Sequence, residues 1–220
     1  PIINNLMATA TELITIFELQ VNDVTELSTS EELLVMNRIY QRVCNDRPWE
    51  FLKTSATGTM SGSGTDGYYI TVPSDFGYFY ENDSWTNNTI STQINSNPKV
   101  VYVGTAKSPY KIVNYADRYK YLGDTGYCYL DLANSKIVFT GTPTSTTYYM
   151  DYIKVPATLT GASTPVIPTR FQEVLIYGMA AENEIIQLSP KAKSYAPENL
   201  TLYNQYLADM ALWNSRLIND

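Results

Sequence analysis

The apolar positions of this chain change period twice. Between Thr9 and Leu19, Ala10, Leu13, Ile14 and Phe17 recur at steps of three and four, which predicts a helix. Thr9 or Thr11 would cap it, with Glu12 in the first turn. Ser28-Thr29-Ser30-Glu31-Glu32 starts a second helix, a hydroxyl cap followed by carboxylates at the positive end of the dipole. Leu33, Met36, Ile39, Tyr40, Val43 and Cys44 then line one face. Pro48 ends it, because the residue before a proline is biased away from helical geometry. Trp49, Phe51 and Leu52 follow as an apolar plug.

The period then falls to two. Short runs rich in Tyr, Thr and Val predict strands over Tyr68–Val72, Gly77–Glu81, Thr89–Ile94, Lys99–Val103, Tyr110–Tyr115, Tyr127–Leu132, Lys136–Thr140 and Thr146–Val155. Asn95-Ser96-Asn97-Pro98, Gly123-Asp124-Thr125-Gly126 and Ala133-Asn134-Ser135 punctuate them as turns. Such spacing, with no helices between, implies an antiparallel sandwich or barrel. Before these strands, residues 55–67 are mostly Ser, Thr and Gly with little to fill a core, and read as a flexible loop or, over Ser61–Gly67, a long hairpin tip.

After Thr158–Thr164 the helical period returns. Pro165 and Pro168 hold an extended entry. From about Thr169, Phe171, Val174, Leu175, Gly178, Ile185 and Leu188 lie near one face. Gly178, Ala180 and Ala181 are small enough for another element to approach closely. Ser189-Pro190 and Ala196-Pro197 bracket a break. In the last helix, Leu200, Tyr203, Leu207, Met210, Trp213 and Leu217 form a stripe that needs a partner. The fold class is therefore α+β. A helical bundle over 1–53 and 166–220 would carry an inserted β-sandwich or barrel domain over 54–165, and the helical stripes of both ends would share one core.

Composition narrows the chemistry. His is absent, which removes the commonest general base and metal ligand. Two Cys, Cys44 and Cys128, are too few for a disulfide framework and read as buried thiols. A net charge of −7 argues against wrapping nucleic acid. The longest apolar runs are too short for a membrane span, and Pro1-Ile2-Ile3-Asn4 does not read as a signal peptide.

Four local patterns suggest chemistry and fail on context. Gly62-Ser63-Gly64-Thr65-Asp66-Gly67 matches a dinucleotide fingerprint, yet lacks the preceding strand and following helix that phosphate binding needs. Asp124-Thr125-Gly126 matches the aspartic-protease tripeptide, but a hairpin turn explains it. Glu173, Glu182, Glu184 and Asp209 read as solvated helix faces. Asn82-Asp83-Ser84, Asn87-Asn88-Thr89 and Asn199-Leu200-Thr201 are glycosylation sequons that an Asn/Ser/Thr-rich chain produces by chance. No catalytic, metal or cofactor site is expected, and the chain reads as no enzyme.

The 19 Tyr residues are less easily set aside. Tyr suits strands and also dominates protein contact surfaces. Tyr78, Tyr80, Tyr127 and Tyr129 are the candidate contact residues of the β region. The same surplus keeps open a carbohydrate- or receptor-binding β module.

The order of several segments carries a resemblance. These are the Trp49-Glu50-Phe51-Leu52 plug; Tyr69-Ile70-Thr71-Val72-Pro73-Ser74-Asp75-Phe76; the strand Tyr148–Pro156; and Pro165-Val166-Ile167-Pro168 with Phe171. Together, over about residues 5 to 218, the chain resembles the bacteriophage head–tail connector adaptor family. The resemblance implies a structural virion protein of the portal vertex, assembled in the host cytoplasm. It implies a ring of about twelve copies joining the portal protein to a tail or nozzle protein. DNA would pass through without sequence-specific binding, and no membrane is involved. It also suggests that a terminal segment reaches the portal, for which Arg216, Leu217 and Ile218 are the candidates.

Overall fold

The computed structural model describes residues 8–21, 27–64, 67–79, 100–186 and 196–219. The chain divides into two compact units, one of Pro1–Leu52 with Val155–Asp220, the other of Lys53–Lys154. The predicted strand Thr89–Ile94, Tyr80, Leu188 and the Ser189-Pro190 break lie outside the described residues.

The first unit holds α1 (Ala10–Val21), α2 (Thr29–Asn45), α3 (Glu173–Ile186) and α4 (Ala196–Asn219). Thr9 caps α1: its N–H and hydroxyl both donate to Glu12 Oε2, at 2.7 and 2.9 Å. Ser28 plays the same part for α2, donating to Glu31 Oε2 from N at 2.8 Å and from Oγ at 2.6 Å. α3 packs against all three of the other helices. Met36, Ile39, Val43, Val174, Leu175, Met179 and Met210 are buried between them.

At Gly178, α3 comes close to two of its neighbours. A Cβ there would stand 2.5 Å from Ile39 Cγ2 and 3.1 Å from the Tyr203 ring. Both neighbours are buried, so neither can swing aside. Gly178→Ala gains about 1 kcal/mol of helix propensity but overpacks the site by about 1–3 kcal/mol. The expected result is a net loss of about 1 kcal/mol, read as a lower urea midpoint at unchanged slope.

The extended segment after Val155, which composition groups with the strands, lies in the helical unit and runs along α2. Asn37 donates to Leu159 O at 3.0 Å and accepts from Leu159 N at 2.7 Å. Gln41 donates to Pro156 O at 3.0 Å, and Val166 N donates to the Tyr40 hydroxyl at 3.3 Å. The connector also receives α1: Ala10 N donates to Ser163 O and Thr11 N to Gly161 O, satisfying N–H groups that a helix start leaves without internal partners.

The second unit is one nine-stranded sheet, not two packed sheets. Its strands are β1 (Lys53–Thr59), β2 (Ser61–Ser63), β3 (Gly67–Thr71), β4 (Phe76–Phe79), β5 (Val100–Val103), β6 (Ser108–Val113), β7 (Tyr127–Asp131), β8 (Lys136–Phe139) and β9 (Thr147–Lys154). The order is β1-β9-β5-β6-β7-β8-β3-β2, with β4 also on β9. Ile70, Phe79, Val101, Tyr110, Cys128, Ile137 and Met150, drawn from β3 to β9, form one buried cluster. A sheet in which seven strands meet in one cluster must curl over that face, so it covers its own core without a second sheet.

Two expectations are corrected. The Ser/Thr/Gly stretch 55–67 is not a flexible loop where it is described; of the two readings, the hairpin holds for Ser61–Ser63 against Gly67–Tyr69. β1 pairs with β9 from Lys53↔Ile153 to Thr59↔Thr147, and β2 pairs with β3 from Ser61↔Tyr69 to Ser63↔Gly67. Backbone hydrogen bonding needs no large side chain, and Tyr148 lies 3.1 Å from where a Gly58 Cβ would stand. The sheet is also not wholly antiparallel, because β6 and β7 run parallel. A 3-10 helix over Tyr115–Tyr121 returns the chain to start β7 in the direction of β6.

Cys44 and Cys128 are both buried and free, one in each unit. Burial pushes the Cys44 thiol up to about 12 and raises Cys128 too. Neither presents a thiolate near neutral pH, so both behave as small apolar core residues.

Candidate interaction surface

The 3-10 helix Tyr115–Tyr121 builds the most developed surface feature of the β unit. In a 3-10 helix residues i and i+3 eclipse, so Tyr115 and Arg118 lie over one another. Arg118 Nη1 donates to Tyr115 O at 2.6 Å, and Nη2 donates to the Tyr119 hydroxyl at 2.9 Å. The guanidinium carbon sits 3.8 Å from the Tyr115 ring centroid and 4.2 Å from that of Tyr119. The cation is thus held against two rings by its own hydrogen bonds. Beside it, Lys120 donates to Asp117 at 2.6 Å.

β7 supplies the floor. Alternation sends Cys128 into the core and leaves Tyr127 and Tyr129 half-buried on the other face. The Tyr121 ring lies over Tyr127 at 4.5 Å, and Tyr115 meets Tyr129 edge-on at 5.7 Å. Burial raises the Tyr129 phenol. Asp131 is held below the usual carboxylate range by Asn134, which donates to it through Nδ2 at 2.9 Å. In register, Tyr129 faces Val138, which faces Tyr69, and Lys136 Nζ lies 3.9 Å from the Tyr69 ring. Tyr119, Leu122 and Tyr115 are the exposed part, at 69%, 67% and 49%.

The structure therefore brings Tyr127 and Tyr129 together, and joins to them Tyr115, Arg118, Tyr119 and Tyr121. It does not bring Tyr78 there. Tyr78 is exposed on β4, which pairs with β9, three strands from β7 in the sheet order. Tyr80 lies outside the described residues. Arg216 and Leu217 are exposed in the last turn of α4, where Ile218 also lies. Leu217, at 47%, does not complete the buried stripe of that helix. Sequence reasoning overlooked Arg118. The signal was there, a Tyr three residues before it and another directly after.

Two carboxylates of the helical unit, Glu182 and Glu173, are structural. Glu182 accepts from Arg38 at 2.6 Å and Arg42 at 3.2 Å, tying α3 to α2. Glu173 accepts from the Tyr206 hydroxyl, which raises that phenol. Among the described residues, no group of three or more His, Cys, Asp or Glu is placed to hold a metal. None of the helices described is long and apolar enough to cross a membrane. Gly123-Asp124-Thr125-Gly126 forms a turn, with positive φ at both glycines.

Against known proteins, the family described as SU10 adaptor protein matches residues 8–218. No curated protein matches the chain.

Proposed function

We propose, from the premise that the chain belongs to the SU10 adaptor protein family of phage head–tail adaptors, that it forms a ring at the portal vertex. It is a structural virion adaptor, associated with portal and tail proteins. In the proposed arrangement, several copies, about twelve, surround the DNA path and join the portal to the tail or nozzle. The match over nearly the whole chain carries this reading. The −7 charge fits it, because an acidic bore repels a passing duplex and does not grip it.

Within that ring we assign portal docking to Arg216, Leu217 and Ile218, and contacts with neighbours or tail proteins to the Tyr-bearing faces at Tyr78, Tyr80, Tyr127 and Tyr129. Exposure of Arg216 and Leu217 supports the first, since neither is needed by the core. A sugar-binding platform is less well supported. Sugar stacking needs open ring faces, and a face of Tyr115 and of Tyr119 already carries the Arg118 guanidinium.

A tag-specific antibody fragment imaged on particles carrying the tagged chain tests the reading. Labels are expected at the head–tail junction, in multiple copies per particle. Labels confined to the distal tail or its fibres would overturn it in favour of a receptor-binding module.

A further inference from the structure

Formal charge is divided unequally along the chain. Between Lys53 and Lys154 the sequence has eight basic and eight acidic residues, so the whole excess of −7 belongs to the helical unit. α1 is the plainest instance. It carries Glu12 and Glu18 and no basic residue. Glu12, Thr15, Ile16 and Leu19 share one exposed face at helical spacing, with Ile16 and Leu19 45% and 76% exposed, and both bonds that Glu12 accepts from Thr9 go to Oε2.

The β unit presents the matching surface. Tyr119, on Arg118, and Leu122, at the end of the same segment, are large exposed groups. The hydrogen bonds of Arg118 go to a carbonyl and a phenol, both neutral, so its charge is spent on neither. Asp131 is near enough to feel that charge but is itself engaged by Asn134. A guanidinium has five N–H donors, and the two hydrogen bonds described leave donors for an incoming carboxylate. Stacking on two tyrosines fixes the plane in advance, which lowers the ordering cost of binding.

We infer that the Tyr115–Leu122 surface of one copy receives the exposed face of α1 formed by Ile16 and Leu19, with Glu12 as its one carboxylate, from a second copy of this chain. The inference rests on the adaptor reading and deepens it by naming a contact between neighbours. Two different patches meeting make a head-to-tail contact, the kind that closes into a ring when the rotation permits. A contact between a cation and an excess of acid is also salt-sensitive.

A photocrosslinking amino acid in place of Tyr119 tests this, in the purified full chain and in assembled particles. The expected product is a covalent dimer whose crosslink maps to the peptide carrying Ala10–Val21. A crosslink to any other part of the chain, to another protein or to DNA, or no crosslink in either sample, overturns the inference. Arg118→Glu, with folding checked by circular dichroism, is expected to weaken self-association about tenfold and to invert its salt dependence. Unchanged assembly would overturn the inference. The adaptor reading fails separately, if the wild-type chain is absent from the head–tail junction.

Discussion

Trp49→Ala is expected to destabilise the helical unit by about 3–5 kcal/mol. Trp49 is fully buried. Its indole Nε1 donates to Val43 O at 2.7 Å, one of the last carbonyls of α2, so the ring both fills the core and closes the helix end. Phe51 stacks on it at 5.6 Å and the Arg47 guanidinium lies 5.1 Å from its centroid. Alanine leaves a large cavity. The carbonyl keeps a weaker partner, Asp46 N at 3.3 Å, so the cavity dominates the loss. Trp49→Phe restores most of the packing but not the donor, and is expected to cost about 1 kcal/mol. Thermal unfolding checks both. At about 2–4 °C per kcal/mol for a chain of this size, Trp49→Ala melts at least about 6 °C lower. A fall no larger than that of Trp49→Phe would show that the cavity collapses.

Deleting residues 215–220 is expected to abolish attachment to portal-containing heads while leaving the fold intact. The cut falls just after Asn214, a buried residue of α4. Asn214 accepts from Glu50 N at 2.8 Å and donates to Pro48 O at 3.3 Å, tying the plug segment to the helix. Those bonds survive the deletion. Ser215, Arg216 and Leu217 are exposed, so the stability change should stay within about 0.5 kcal/mol. The measurements are the melting temperature of the truncated chain and its copy number on purified heads. Normal decoration by the truncated chain would refute the docking role. Failure to fold would place these residues in the core.

Hydrophobic period made the helices legible, as well as the strands that carry large side chains. β1 was not legible, because Lys53-Thr54-Ser55-Ala56-Thr57-Gly58-Thr59 contains nothing larger than Lys and no apolar alternation. What makes it a strand is β9, whose pairing partner for Ser55 is Asp151, 96 positions away. The parallel step from β6 to β7 was hidden for a similar reason. A Tyr-rich 3-10 turn has no periodic signature distinct from a strand end. Glu182 shows the limit for charge. It read as a solvated face, and only the fold sets it against Arg38 and Arg42. The segment Val72-Pro73-Ser74-Asp75-Phe76 was visible as a motif, but its work is non-local. Asp75 accepts from the Tyr152 hydroxyl at 2.8 Å, and Phe76 packs on Tyr152 at 5.5 Å, which folds β4 back onto β9. Of the interaction surface, the tyrosines of β7 were legible from alternation. The cation locked between Tyr115 and Tyr119 was not.

The way the two units share the chain also dictates an order of events during synthesis. The β unit is one uninterrupted segment, Lys53–Lys154, and all its pairing partners have left the ribosome once β9 has. α1 and α2 are made first, yet α3, against which both pack, comes more than a hundred residues later. Until then α1 and α2 have only each other to pack against and lack the cover of α3, and Trp49 lacks the Asn214 clamp beside it. The sheet therefore matures first on the nascent chain, and the helices wait in a state open to chaperones.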